Sequence, residues 1–224
     1  MKVSIIIPLY NQKQFVAAAI ESALAQTFND IEIVVVNDGS TDSPDEVLDN
    51  YKDKVKVVYQ ENKGLAAARN RGLLESTGEY VQFLDADDIL FHDKIERQIA
   101  IINKYNGNIN VIPYCGCLRV YSEALTSSKD FEYQKIENMT NNPILKIIDL
   151  RILFPLPIHT VLLNKNLIRN NDSFDEKMDA NEDRLFWTKV CLNGCRFIYD
   201  NTYGVEYRKH SFSMTSDKNR NRYL

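Results

Sequence analysis

The chain has 224 residues, of which 44% are hydrophobic and 26% charged, and its net charge is −4. That length holds one large domain or two small ones, and the composition is that of a soluble globular protein. The negative balance gives no electrostatic case for nucleic acid as the main partner, and no stretch reaches the length of a membrane span.

Val3–Ile7 reads as a near-continuous apolar strand that stops at Pro8, too short for a secretory signal. The chain is therefore expected in the cytoplasm. Phe15–Gln26 reads as a helix with apolar residues at Phe15, Ala19, Ile20 and Ala23. Ile31–Val36 is the next strand, Asp45–Tyr51 a short helix, Val55–Tyr59 a strand and Leu65–Glu75 an Ala-rich helix. Tyr80–Leu84 is a fourth strand. Strands alternating with helices at this spacing predict an α/β fold, a mainly parallel Rossmann-like sheet with helices on both faces. In such sheets ligands bind outside the carboxyl ends of the strands.

Further on, Lys94–Lys104 reads as an amphipathic helix and Val111–Tyr121 as a strand region. Residues 122–143 lack a period and read as a surface loop or flap. Ile144–Leu153 reads as helical, Thr160–Leu163 as a strand and Glu182–Leu192 as a helix. Arg196–Tyr199 and Tyr203–Tyr207 read as two short strands, and the basic tail 218–222 as a fraying end. Cys115, Cys117, Cys191 and Cys195 lack the two-residue gap usual for structural zinc, so reduced thiols are the preferred reading.

Every loop after the first four strands is polar: Pro8–Asn11, Asn37–Asp42, Gln60–Gly64 and Asp85–Asp88. The last carries three carboxylates in four positions. In extended backbone, residues two apart share a side, so Asp85 and Asp87 are expected to converge. Carboxylates forced together favour a cation between them, and all-oxygen ligands suit magnesium or manganese. The plainer reading is that Asp87 or Asp88 caps the helix near Lys94, and Asp88 is taken as structural. The first loop has no dinucleotide fingerprint, and the chain has no P-loop motif, so a pyrophosphate needs another holder. Lys63 and Arg69 are candidates for added positive charge, and Arg69 equally for an ion pair with Asp85 or Asp87. Asp38 is placed to accept from a base N–H, as uracil offers, or to brace an Asx turn. Tyr10 is placed to stack on a base or to pack.

Ser4–Asn11, Val36–Asp42, Asn62–Gly72 and Phe83–Asp88 together resemble the large family 2 of inverting glycosyltransferases with the GT-A fold. The resemblance implies a nucleotide-diphosphate sugar donor, usually a UDP-sugar. It places Pro8, Tyr10, Asn11, Asp38, Lys63, Arg69, Asp85, Ala86 and Asp87 at the donor. Within that set it assigns Asp38 to the base, Asp85 to the ribose region and Asp87 to Mn2+ or Mg2+. It divides the fold into a donor half, 1–120, and a smaller mixed acceptor half, 121–224.

The family also expects an acidic pair opening a helix in the acceptor half, and Glu182-Asp183 fits. Asp183 at a helix start is either a general base for the acceptor hydroxyl, with Glu182 in support, or only a cap. His210 resembles the histidine that completes the metal shell in part of the family, and the adjoining Arg208 is expected to face the diphosphate. His92 and His159 read as structural or acceptor-side residues. The acceptor is expected to be a saccharide or lipid-linked hydroxyl in surface polysaccharide synthesis. Such relatives imply association with the inner face of a membrane, and a chain ending soon after His210 implies a truncated tail. A sugar nucleotidyltransferase is disfavoured by the absence of a Gly-rich first loop. A non-catalytic sugar-nucleotide-binding protein is disfavoured by Glu182-Asp183 with His210.

Overall fold

The computed structural model describes residues 1–121, 130–134, 156–169, 173–178 and 180–210. The expected helix Ile144–Leu153, most of the expected flap at 122–143 and the basic tail lie outside them. The first sheet is built from β1 (Val3–Leu9), β2 (Ile31–Asp38), β3 (Lys56–Gln60), β4 (Tyr80–Phe83) and the short β8 (Leu163–Asn164). Its order is β3-β2-β1-β4-β8. The first four strands run parallel, and β8 closes the edge antiparallel to β4.

Why β1 sits centrally follows from its composition, since every residue from Val3 to Leu9 is buried. A parallel strand covered on both faces needs such a near-continuous apolar run, which only Ser4 interrupts. Ile5, Ile7 and Leu9 pack with Val16, Ala19 and Ile20 of α1 (Lys13–Leu24). Ile6 points the other way, toward Ala66 and Leu73 of α3 (Leu65–Glu75) and the aromatic residues of α5 (Glu182–Leu192). A four-residue helix α2 (Asp45–Leu48) runs into a 3₁₀ turn, Asp49–Tyr51, before β3.

Contact between α3 and β1 depends on Gly72. A Cβ there would lie 2.2 Å from Ile6 Cγ2, in a residue with no exposed surface. Helix propensity alone makes Gly72→Ala stabilising by about 1 kcal/mol. The overpacking instead makes it destabilising, by about 1–3 kcal/mol in urea unfolding. A stabilised variant would show that the two elements have room to separate.

The chain begins in the middle of the sheet, moves out to β3 and returns across β1 to β4. Loops after β1 and β4 therefore diverge at neighbouring strands, the place where open α/β sheets hold ligands. A second sheet adjoins it, in the order β5-β9-β6-β7. Its strands are β5 (Ile89–Leu90), β6 (Val111–Tyr121), β7 (Asp130–Gln134) and β9 (Arg196–Lys209), with α4 (Lys94–Lys104) packed on β6 and β9.

Three expectations change here. The two short strands at 196–207 are one 14-residue strand, β9. Its polar centre is an irregularity rather than a turn, with Asn201 at φ 59° and Thr202 N–H donating to Asp200 Oδ1 at 2.9 Å. The register against β6 shifts there, between Tyr114 and Cys117. Within the expected flap, 130–134 forms β7, antiparallel to β6. Thr160–Leu163 is not a continuous strand: Ile158–Thr160 is a 3₁₀ turn, and pairing with β4 starts at Leu163.

Candidate active site

Loops after β1 and β2 are stitched together by short polar side chains. Asn11, at φ 51°, accepts from Thr41 N at 2.7 Å and donates its own N–H to Ser40 Oγ at 3.1 Å. Lys13 N donates to Asp42 Oδ2 at 2.8 Å. Pro8 is buried in the strand end, whereas Tyr10 is 47% exposed at the mouth of the edge. Asp38 ends β2 and is almost fully buried. Its Oδ1 accepts from Gln60 Nε2 at 2.7 Å and Lys63 N at 2.9 Å, and its Oδ2 from Gly64 N at 2.9 Å. Asp38 thus braces the loop leading into α3. Lys63 takes part through its backbone, and its side chain is exposed.

The three aspartates after β4 point to three partners. Asp85 Oδ1 accepts from Arg69 Nη2 at 2.8 Å. Asp87 Oδ2 lies 3.1 Å from His210 Nε2. Asp88 is fully buried, 2.7 Å from His159 Nδ1, and accepts from Arg208 N at 2.9 Å. Neither Asp87 nor Asp88 caps α4, whose N-cap position is Asp93. Burial opposes charge on His159, but the Asp88 carboxylate outweighs it and holds the imidazole well above its ordinary value. His159 is therefore an internal counter-ion for the loop, a role that matches its structural reading. Ligating atoms of Asp85, Asp88 and His159 lie within 4.8 Å of one another, whereas His210 meets Asp87. Ala86 is buried between them in sequence.

Pairing of β5 with β9 explains how residue 210 reaches residue 87. Ile89 pairs with Glu206 and Leu90 with Val205, so β9 runs antiparallel past the aspartate loop and ends beside it. Arg208 is only 8% exposed and turns inward, its Nε donating to the Asp87 carbonyl.

Arg69 joins the two halves of the site. It is 3% exposed, with Nη1 on Glu182 at 2.7 Å and Nη2 on Asp85 at 2.8 Å. The expected ion pair with Asp85 is formed, and a second pair with Glu182 adds to it. Ala66–Ala68 on the same helix bring its backbone close to the sheet. Next to Glu182, Asp183 occupies the first turn of α5 and accepts from Arg184 N at 2.7 Å. Burial and then the Glu182 carboxylate push its carboxyl up to about 6, against the pull of Arg69 and the Arg184 amide. A carboxylate with that value is ionised, yet basic enough to take a proton, near neutral pH.

Cys115, Cys117, Cys191 and Cys195 are free thiols. No helix among the described residues is long and apolar enough to cross a membrane. Sequence reasoning did not single out Gln60, which holds Asp38, or the pairing of Asp88 with His159. Gln60 was accessible in principle, since it ends a strand on the same edge. The Asp88–His159 pair joins residues 71 apart and left no local signal.

The family model for glycosyl transferase family 2 matches residues 4–153. An uncharacterized glycosyltransferase of Rickettsia typhi is 37% identical over 219 residues, 96% of this chain and 66% of that protein. Glycosyltransferase GlyG of Streptococcus pneumoniae is 30% identical over 228 residues, 95% of this chain and 72% of that protein. Among solved structures, S. aureus TarS 1-349 superposes with a TM-score of 0.69 at 25% identity, over 93% of this chain and 60% of that one. The same protein in complex with UDP-GlcNAc gives a TM-score of 0.69 at 25% identity, over 95% of this chain and 60% of that one. The chain therefore spans about two thirds of the Rickettsia relative and somewhat less of the TarS chain. With a family match over most of its length, parallel strands feeding an acidic edge and TarS as a structural neighbour, the chain belongs to glycosyl transferase family 2 and has its GT-A fold.

Proposed function

We propose that the chain is a metal-dependent inverting glycosyltransferase that moves a sugar from a UDP-sugar to a hydroxyl of a saccharide or lipid-linked acceptor. Residues 1–120 form the donor half and 121–224 the acceptor half. The observation that carries this is Asp183, held at a pKa of about 6 and linked through Glu182 and Arg69 to the Asp85 loop. That bridge supports a reading of Asp183 as a base facing the acidic sheet edge. Two solved complexes of the TarS neighbour, with UDP and with UDP-GlcNAc, support a UDP-sugar as donor.

The residues at Asp87 suit a hard divalent ion, Mn2+ or Mg2+. The carboxylate oxygen suits either ion, and the imidazole nitrogen, a softer donor, favours Mn2+ of the two. Asp87 Oδ2 and His210 Nε2, hydrogen-bonded to each other at 3.1 Å, are near enough to serve one ion together. Asp87 and His210 would hold it, with Asp85 beside the ribose. A divalent ion at that place would neutralise charge on the departing diphosphate. Asp38 receives the base N–H, and Tyr10 covers the base face. Asp183 takes the proton of the acceptor hydroxyl, whose oxygen attacks the anomeric carbon opposite the leaving group. A single displacement inverts that centre. Membrane-linked acceptors would place the protein at the inner face of a membrane.

The deciding experiment is a donor screen read by release of nucleoside diphosphate, with Mn2+ and Mg2+ compared. UDP with Mn2+ is expected to raise the Tm by several degrees, more than Mn2+ alone. Equal stabilisation by GDP or ADP would remove the role given to Asp38. Binding without turnover by any donor would leave a sugar-nucleotide-binding protein.

A further inference from the structure

We propose that Phe15 is a positioning residue, its ring the shelf that holds His210 over the Asp87 carboxylate and Arg208 against the Asp87 carbonyl. This rests on the reading of Asp87 and His210 as metal ligands. Phe15 lies in the first turn of α1 and is 8% exposed. Other buried residues of that helix, Val16, Ala19, Ile20 and Ala23, pack into the core under the sheet. Phe15 joins none of the apolar clusters among the described residues. Its ring is covered instead by polar groups. The His210 imidazole stacks on it, centroids 4.2 Å apart and planes at 24°. The Arg208 guanidinium sits 5.3 Å from its centroid.

Both groups are tied to Asp87. His210 Nε2 is 3.1 Å from Asp87 Oδ2, and Arg208 Nε donates to the Asp87 carbonyl. His210 also lies one residue past the last ladder pair, Tyr121 with Lys209. The ladder between β6 and β9 therefore ends one residue before the one whose ring direction matters most. A flat aromatic face supplies that direction through stacking, and favours the guanidinium beside it. Outer-shell hydrogen-bond partners that fix the ring of a ligating histidine are worth roughly 10–100-fold in metal affinity, and the shelf fixes the same ring by stacking.

The test is Mn2+ affinity in the presence of UDP, followed by the electron paramagnetic resonance signal of free Mn2+. It compares the unmodified chain with Phe15→Leu, Phe15→Tyr, His210→Ala and the double variant Phe15→Leu/His210→Ala. Phe15→Leu is expected to weaken Mn2+ about tenfold. Phe15→Tyr, which keeps the ring face, is expected to restore most of it. The double variant is expected to bind no more weakly than His210→Ala, because a shelf without its histidine has nothing to orient. Unchanged affinity in Phe15→Leu overturns the proposal, and so do losses that multiply in the double variant. Should Phe15→Leu not fold, Phe15→Met replaces it, with the same outcomes. If the unmodified chain holds no Mn2+ with UDP, the metal reading falls and the shelf with it. A tight site indifferent to Phe15 overturns the shelf alone.

Discussion

Asp183→Asn is expected to lower the turnover rate by roughly 10²–10⁴-fold, the usual contribution of a general base, while UDP still binds. The substitution keeps the shape of the side chain and its capacity to accept from Arg184 N, and removes only the proton acceptor. The pH profile gives the sharper reading. A base must be ionised to act, and the Asp183 carboxyl is held at about 6. In the unmodified enzyme kcat/KM should therefore fall about tenfold per unit as pH drops below about 6. In Asp183→Asn the small residual rate should lose that limb. A variant that keeps full turnover, or the same acid limb, would show that the base is elsewhere.

The same substitution has a consequence for stability of opposite sign. The Asp183 carboxyl stands at about 6 in the fold against an ordinary 3.8. A raised folded value means that the native state holds the proton more tightly than the unfolded chain does. Its stability contribution is complete below about 3.8 and is lost as pH rises through about 6. Above that, an ionised Asp183 costs on the order of 1–3 kcal/mol, discounted for its partial exposure. Asp183→Asn removes that cost, so its Tm should exceed the parent's at pH 8 and match it near pH 4. Gain in stability with loss of turnover is the signature of a site strained for function.

Elements with a strong local period or clear punctuation were legible in the sequence. Helices Leu65–Glu75, Lys94–Lys104 and Glu182–Leu192, and strand Val111–Tyr121, stand where the pattern puts them. The acidic edge was legible because each loop there follows an apolar strand. What the pattern did not carry was where each carboxylate turns. Alternation on an extended strand predicts that Asp85 and Asp87 converge, but the strand ends at Phe83 and the backbone turns at Ala86-Asp87. Each aspartate then finds a partner from a distant segment: Arg69, His210 or His159. The single strand β9 was hidden for a related reason. Asp200-Asn201-Thr202 has the composition of a turn and carries no ladder pair with β6, but that pairing resumes at Tyr203 and keeps both sides in one strand.

Arg69→Met should produce the largest loss of stability of any single change near this edge. The guanidinium is buried between two carboxylates, Glu182 at 2.7 Å and Asp85 at 2.8 Å, with Asp183 near enough to raise its pKa further. Burial alone would lower that value, so the acidic neighbours outweigh it. Methionine fills much of the volume but leaves acidic groups from α3's two neighbours facing one another without a cation. Breaking a buried pair from one side costs about 3–5 kcal/mol, because the remaining charge has lost both water and partner. Like charges brought together resist ionisation, so the loss should be worst at pH 8 and shrink toward pH 4, where Asp183, pushed up to about 6, is protonated. Arg69→Lys should fall between, since an ammonium keeps the charge but not the fork that spans two carboxylates. Urea unfolding of both variants across that pH range is the measurement, and midpoints that match the parent at pH 8 would mean the two halves of the site do not depend on this bridge. A loss that is equally large at pH 4 would assign the effect to packing against Phe174, whose ring centroid lies 5.4 Å from the guanidinium carbon, rather than to charge.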